Sequence, residues 1–220
     1  TQQCVITDPQ GNEHKLALPM PGRFNVANAL VALAVSELAG LPIEDALAGI
    51  AHVVVPGRLQ RIDEGQDYLA IVDYAHKPAA VAAVIATLRS EIKGRLCVVL
   101  GAGGDRDASK RAIMGREAAR GSDLFIVTDD NPRSEDPAVI RAAVEAGAYE
   151  LPTEERGEVR NIGDRAAAIR AAIAWAEPGD AVLVAGKGHE TGQNVNGVIH
   201  HFDDREEVRA ALQERRTGSL

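Results

Sequence analysis

The chain has 220 residues, 45% of them apolar and 25% charged, enough for one large soluble domain or for one domain plus part of another. A net charge of −8 with 3% aromatics argues against nucleic acid, which needs a basic footprint and often stacking rings. No apolar run approaches the ~20 residues that span a bilayer, and the first residues lack a signal peptide's basic and apolar regions, so no membrane insertion and a cytoplasmic setting are expected.

Residues 3–19 predict a β-hairpin turning at Asp8-Pro9-Gln10-Gly11. Apolar residues then recur at helical spacing from Val26 to Leu38 and stop at Gly40, and residues 43–51 predict a short second helix. Val53 to Gly57 read as a linker. A hairpin and two helices are marginal as a free domain, so residues 1–56 are expected to be the tail of something larger, with an apolar face left uncovered.

From residue 58 apolar runs alternate with helical stretches. The runs are 68–72, 96–100, 124–128, 159–162 and 181–185, and the helices 78–90, 109–120, 136–149, 164–176 and 204–215. The runs are short, continuous and rich in Val, Ile and Leu, as parallel strands covered on both faces are. The expected fold class is α/β, a Rossmann-like, doubly wound, mostly parallel sheet. Cys97 lies within one run as a small hydrophobe, and neither it nor Cys4 forms a C-x-x-C pattern, so zinc and dithiol chemistry have no support.

Ligands of open α/β sheets sit beyond the carboxyl ends of the strands. Four runs end there in glycines and charges: Asp73-Tyr74-Ala75-His76-Lys77-Pro78, Gly101-Ala102-Gly103-Gly104-Asp105-Arg106-Asp107, Asp129-Asp130-Asn131-Pro132-Arg133 and Gly186-Lys187-Gly188-His189-Glu190. The fifth ends in Gly163-Asp164, a plain helix cap. The three glycines fit a tight turn, or the close approach of a ligand or a neighbouring loop. Asp129 and Asp130 fit helix capping, whereas Arg133 suits a ligand carboxylate. His76 and His189 have no metal-ligand spacing and read more simply as hydrogen-bonded loop residues. Phosphate, carboxylate and solvent are all open to Lys187. Neither a G-x-G-x-x-G dinucleotide fingerprint nor a G-x-x-x-x-G-K-[ST] phosphate loop is present; around Lys187, Ala181 and Gly188 stand where the latter needs Gly and Ser or Thr.

Taken together, GRFNVANALVALA, PGRLQRID, VDYAHKP, GAGGDRDASKR, DDNPR and GKGHETGQ resemble the Mur ligases, and within them the branch that adds meso-diaminopimelate, over nearly the whole chain. The resemblance implies that residues 1–56 end the central ATP-binding domain and that 57–220 form the C-terminal Rossmann-like domain. It implies ATP-dependent amide formation between a UDP-MurNAc-dipeptide and meso-diaminopimelate. Arg106, Asp130, Asn131, Pro132, Arg133, Gly186 and Glu190 would contact the amino acid, with Arg106 and Arg133 on its carboxylates and Asp130 and Glu190 on an ammonium. Asn25 and Asn28 would approach adenine, Arg58 the γ-phosphate, and Asp73 with His76 the ribose and phosphates. ATP and Mg2+ would serve the whole enzyme. The phosphate loop and the Mg2+ ligands would lie outside these 220 residues, so no metal site and no ligase activity of the isolated chain are expected. The competing expectations are a non-catalytic amino-acid-binding module and a related amide ligase such as a folylpolyglutamate or cyanophycin synthetase.

Overall fold

The computed structural model describes residues 2–220, which form two compact units, one ending at Val55 and the other spanning Pro56–Leu220. In the first, β1 (Gln2–Thr7) and β2 (Glu13–Leu18) pair antiparallel, and α1 (Arg23–Leu38) and α2 (Ile43–Ile50) follow. The hairpin closes because the Asp8 carboxylate accepts the amides of Gln10 (3.0 Å) and Asn12 (2.7 Å) while Gly11 takes a positive φ. Leu16, Leu18, Ala29, Leu33 and Ala46 make a small core. The other side of α1 leaves Val31, Val35 and Leu38 exposed, the uncovered apolar face that the sequence leads one to expect.

The second unit runs through β3 (Gln60–Arg61), β4 (Leu69–Asp73), α3 (Pro78–Glu91), β5 (Leu96–Leu100), α4 (Lys110–Gly121), β6 (Leu124–Val127), α5 (Pro137–Tyr149), β7 (Glu158–Asn161), α6 (Arg165–Trp175), β8 (Ala181–Ala185), β9 (Gly192–Val195), β10 (Val198–His201) and α7 (Asp204–Thr217). One sheet has the order β3-β4-β8-β5-β6-β7, parallel except for β3. Strand side chains alternate between its faces. Val98, Leu100, Phe125 and Leu183 pack against α3, α4 and α5, whereas Cys97, Val99, Ile126 and Val184 pack against α6 and α7. The chain moves across the sheet in one direction from β5 to β7, then returns to insert β8 between β4 and β5. That reversal needs the crossover helix on the opposite face if handedness is to be kept, and α6 lies there.

The expected strands and helices of this unit recur with ends shifted by at most two residues. Asp136, Asp164 and Asp203 cap α5, α6 and α7 by accepting the amides of Ala138, Ala167 and Arg205. The sequence reading passed over the β9–β10 hairpin. It turns at Asn196-Gly197, both at positive φ as a two-residue hairpin turn requires. Among the described residues, no helix is long and apolar enough to cross a membrane.

Opposite the strand carboxyl ends, Asp180 ties β8 to the start of β5. Its carboxylate accepts the amide of Arg95 (2.7 Å), the amide of Glu177 (2.9 Å) and the Arg95 guanidinium (2.7 Å). Burial pushes its pKa up, but the Arg95 guanidinium and the two amides outweigh that and hold it below the ordinary carboxylate range. A lowered folded-state pKa contributes stability above the unfolded-state value and loses it as pH falls through the folded-state one. Asp180→Asn is therefore expected to lower the urea midpoint at neutral pH and to flatten its decline below about pH 4. An unchanged acid limb in the variant would assign the decline to other carboxylates.

Candidate functional site

The four charged loops do converge. Beyond the carboxyl ends of β4, β5, β6 and β8 lies a cleft of about 240 Å3. It is lined by Tyr74 and His76 after β4, by Gly101 to Gly103, Arg106 and Lys110 after β5, by Asp130, Asn131 and Arg133 after β6, and by Gly186 and Glu190 after β8. Three arginines (Arg106, Arg111 and Arg133), a lysine and three carboxylates (Asp107, Asp130 and Glu190) line one small volume, which suits a ligand carrying both signs of charge.

The glycines of the loop after β5 are there for a neighbouring loop. A Cβ on Gly101 would stand 2.5 Å from the Thr128 carbonyl oxygen, and one on Gly104 would stand 1.9 Å from that of Pro132. The two loops are then laced together. The Gly104 amide donates to Asn131 O (2.9 Å), and Arg133 Nη1 donates to Gly104 O (2.7 Å). Glu135 Oε1 accepts the Asp105 amide (2.6 Å) and Arg111 Nη2 (2.8 Å), while Ser134 Oγ donates to Asp105 Oδ1 (2.7 Å). Asp105 and Arg133 both take φ of 52°, a conformation that costs non-glycine residues energy and is held by these contacts. Gly188, where a phosphate loop has Ser or Thr, is also at positive φ; a Cβ there would stand 2.6 Å from Tyr74 Cβ and 2.7 Å from Gly57 O.

The loop after β6 is braced from two sides. Asp129 pairs with Arg141 of α5, and its amide donates to Gly163 O (3.2 Å). Neither Asp129 nor Asp130 caps a helix; Asp136 does that. On the other side β9 lies along the loop. The Arg133 amide donates to Asn194 O (3.0 Å), the Asn196 amide donates to Arg133 O (2.7 Å), and Gln193 Nε2 donates to Asp130 O (2.7 Å). Asp130 and Asn131 are buried, and Pro132 contributes backbone rather than a cleft wall.

The remaining candidates fare differently. Arg106 is exposed, and among the described residues its guanidinium donates only to Asp105 O (3.2 Å). Arg133 is half-buried and partly committed to Gly104 O. Arg58 is exposed with its guanidinium 4.3 Å above the Tyr74 ring, and His76 is exposed with Nδ1 2.8 Å from Tyr74 O. Asp73 is buried, and its two oxygens accept the amides of Leu59 and Ala75, both at 2.8 Å. Burial pushes the Asp73 pKa up against those hydrogen bonds. Its carboxylate fixes the chain as it leaves β4, and each oxygen keeps a further acceptor position. In the first unit, Asn28 is exposed, whereas Asn25 is buried and donates from Nδ2 to Pro21 O (2.7 Å). Lys187 meets no solvent: it is fully buried, with Nζ donating to Gly192 O at 2.6 Å.

Gln193, Asn194, Arg111 and Glu135 escaped the sequence reading. The Asn-Gly pair was the available signal for the first two, and the last two carry none. Among the described residues, no three His, Cys, Asp or Glu side chains gather as metal ligands.

Residues 57–188 match the family described as Mur ligase, glutamate ligase domain. A UDP-N-acetylmuramoyl-L-alanyl-D-glutamate–2,6-diaminopimelate ligase of Corynebacterium glutamicum is 59% identical over 100% of this chain and 43% of its own length. The ligase of the same name from Streptomyces coelicolor is 52% identical over 95% of this chain and 42% of its own length. The chain thus spans less than half the length of the curated relatives it matches. A solved structure of a ligase of that name superposes with a TM-score of 0.70 at 38% identity, covering 97% of this chain and 43% of that one. A folylpolyglutamate synthase of Mycobacterium tuberculosis shares the fold at a TM-score of 0.60 and 24% identity. The chain belongs to the Mur ligases, and residues 57–188 are their glutamate ligase domain.

Proposed function

We propose that the cleft holds meso-diaminopimelate as the incoming amine of an ATP-dependent ligase that extends a UDP-MurNAc-dipeptide in the cytoplasm. The observation that carries this reading is the cleft's mixed charge: Arg106 and Arg133 supply positive groups to its lining, Asp130 and Glu190 negative ones. Diaminopimelate carries two carboxylates and two ammonium groups. Arg106 and Arg133 each take a carboxylate, and Asp130 and Glu190 take the ammonium that does not react. The chain's task is to orient the second amino group toward the acyl donor. Residues 1–56 end the central domain in this reading, with Asn25 and Asn28 toward adenine. Arg58 and His76, both exposed, suit the anionic face of a nucleotide, and Asp73 keeps acceptor capacity for its ribose. ATP, when bound, supplies activation of the acceptor carboxylate. Among the described residues, no three His, Cys, Asp or Glu side chains form a cluster for Mg2+.

The test is a calorimetric titration of meso-diaminopimelate and of L-lysine into the chain and into its Arg106→Ala and Arg133→Ala variants. Lysine has no second carboxylate and leaves an arginine unpaired, so it is expected to bind at least ~10-fold more weakly. Arg106→Ala removes a free guanidinium and is expected to lower affinity with little effect on stability. Arg133→Ala also releases Gly104 O and is expected to lower both. Equal binding of lysine and diaminopimelate, or binding unchanged in both variants, would overturn the assignment.

A further inference from the structure

Lys187 is a fully buried ammonium in a loop that the sequence leaves open to solvent. Burying an amine is costly unless its donors are met. The three protons of Nζ have three acceptors: Gly192 O at 2.6 Å, Asn131 Oδ1 at 3.4 Å and Glu190 Oε2 at 3.4 Å. The short contact anchors the amine to the start of β9. The two longer ones point it at two side chains of the cleft.

Asn131 is the hub between them. Its Oδ1 faces two donors, Lys187 Nζ and the Asn194 amide (2.8 Å). Its Nδ2 faces two carboxylates, Asp130 Oδ1 (3.0 Å) and Glu190 Oε2 (2.9 Å). A flip of the amide would set oxygen against both carboxylates and nitrogen against both donors. The side chain therefore has one orientation, and in it the amide draws Asp130 and Glu190 together at the cleft wall. Lys187 also approaches one of those carboxylates directly, from the side away from the cleft.

We infer that Lys187 is a positioning residue for the ammonium end of the substrate: it locks the Asn131 carboxamide and, through it, the spacing of Asp130 and Glu190. This rests on the amino-acid reading above and adds to it the device that sets ammonium recognition. Arg106 and Arg133 donate to Asp105 O, Gly104 O and Asn131 O and not to any acceptor of Lys187, which reaches the carboxylate end only indirectly, through Asn131 and Asn194.

The experiment uses the whole chain, with Lys187→Met to remove the charge and Lys187→Arg to keep it in a shape that cannot occupy the same position. Two ligands are titrated into each: meso-diaminopimelate, and 2-aminopimelate, which keeps both carboxylates but lacks one ammonium. The native chain is expected to prefer diaminopimelate by about tenfold or more, the scale of a hydrogen-bonded charge. Both variants are expected to lose that preference while still binding 2-aminopimelate. A general structural defect would instead weaken both ligands equally and leave the preference intact, and that result in a folded variant overturns the inference. If Lys187→Met does not fold, Lys187→Arg decides. The side-chain 15N–1H2 resonances of Asn131 provide a ligand-free arm. They are expected to be displaced from free-asparagine shifts and slow to exchange with solvent in the native chain, and to move toward those shifts and exchange faster in the variants; unchanged resonances also overturn the inference. A native chain that binds neither ligand overturns the amino-acid reading itself, and the Asn131 resonances then decide alone whether Lys187 sets the amide.

Discussion

Replacing Arg165 with methionine is expected to lower the unfolding free energy of the Pro56–Leu220 unit by about 3–5 kcal/mol, the scale of a buried ion pair that loses one partner. Arg165 opens α6 and is entirely buried, as is Asp204 at the start of α7. The guanidinium meets the carboxylate in a two-point contact, Nε to Oδ1 at 2.7 Å and Nη2 to Oδ2 at 2.8 Å. It also donates to Ala185 O (2.9 Å) and Asp129 O (3.2 Å), the backbone just before Gly186 and Asp130. Methionine fills much of the volume but leaves a carboxylate and two carbonyls buried without donors. The double variant Arg165→Met/Asp204→Leu removes the orphaned charge and is expected to recover part of the loss, not all, since the carbonyls stay unmet. Urea unfolding followed by the fluorescence of Trp175, the sole tryptophan and itself on α6, reads the effect. A loss below about 1 kcal/mol would mean that water enters and takes the guanidinium's place.

Arg165 also shows where a sequence stops being informative. The strand that ends in Val127 and the helix that begins after Asp164 were legible because hydrophobic period and capping chemistry are local. So was the gathering of four loops on one rim, because parallel strands put their carboxyl ends together. Nothing local distinguishes Arg165, in the first turn of a helix, from an exposed arginine; its burial depends on Asp204, 39 residues later. Lys187 poses the same difficulty: two flanking glycines suggest openness, yet β9 folds back and closes over the amine. Asp73 is the converse case. A carboxylate at a strand end looks like a ligand group alone, but here two amides that come together only in the folded chain each hold one of its oxygens, so it also carries structure. Charge is legible in a sequence. Whether that charge faces a ligand, a partner or the backbone is decided by residues far away along the chain.

That dependence of one loop on another leads to the second large effect, expected at Gly104. Gly104→Ala places a methyl group 1.9 Å from the carbonyl oxygen of Pro132, and both sides of that contact are backbone. No rotamer relieves it, so the loop after β5 and the loop after β6 must separate. Separation costs the bond from the Gly104 amide to Asn131 O and the bond from Arg133 to Gly104 O. It also moves Arg106, two residues along, away from Asn131 and Arg133 across the cleft. Overpacking of this kind costs about 1–3 kcal/mol, so the chain should still fold in the cold while its cleft is distorted. Affinity for meso-diaminopimelate is therefore expected to fall by roughly tenfold or more, out of proportion to the stability lost, because about 1.4 kcal/mol of misplaced contact already costs that factor. Gly49→Ala is the matched control: it lies in α2, has open space at its Cβ, and is expected to stabilise its helix slightly. Calorimetric titration at a temperature where circular dichroism shows both variants folded separates the outcomes. Lost binding in Gly104→Ala alone would mean that the spacing of the two loops defines the site. Full binding in a destabilised Gly104→Ala chain would mean that the cleft reforms around the methyl group and that the lacing of the two loops serves stability only.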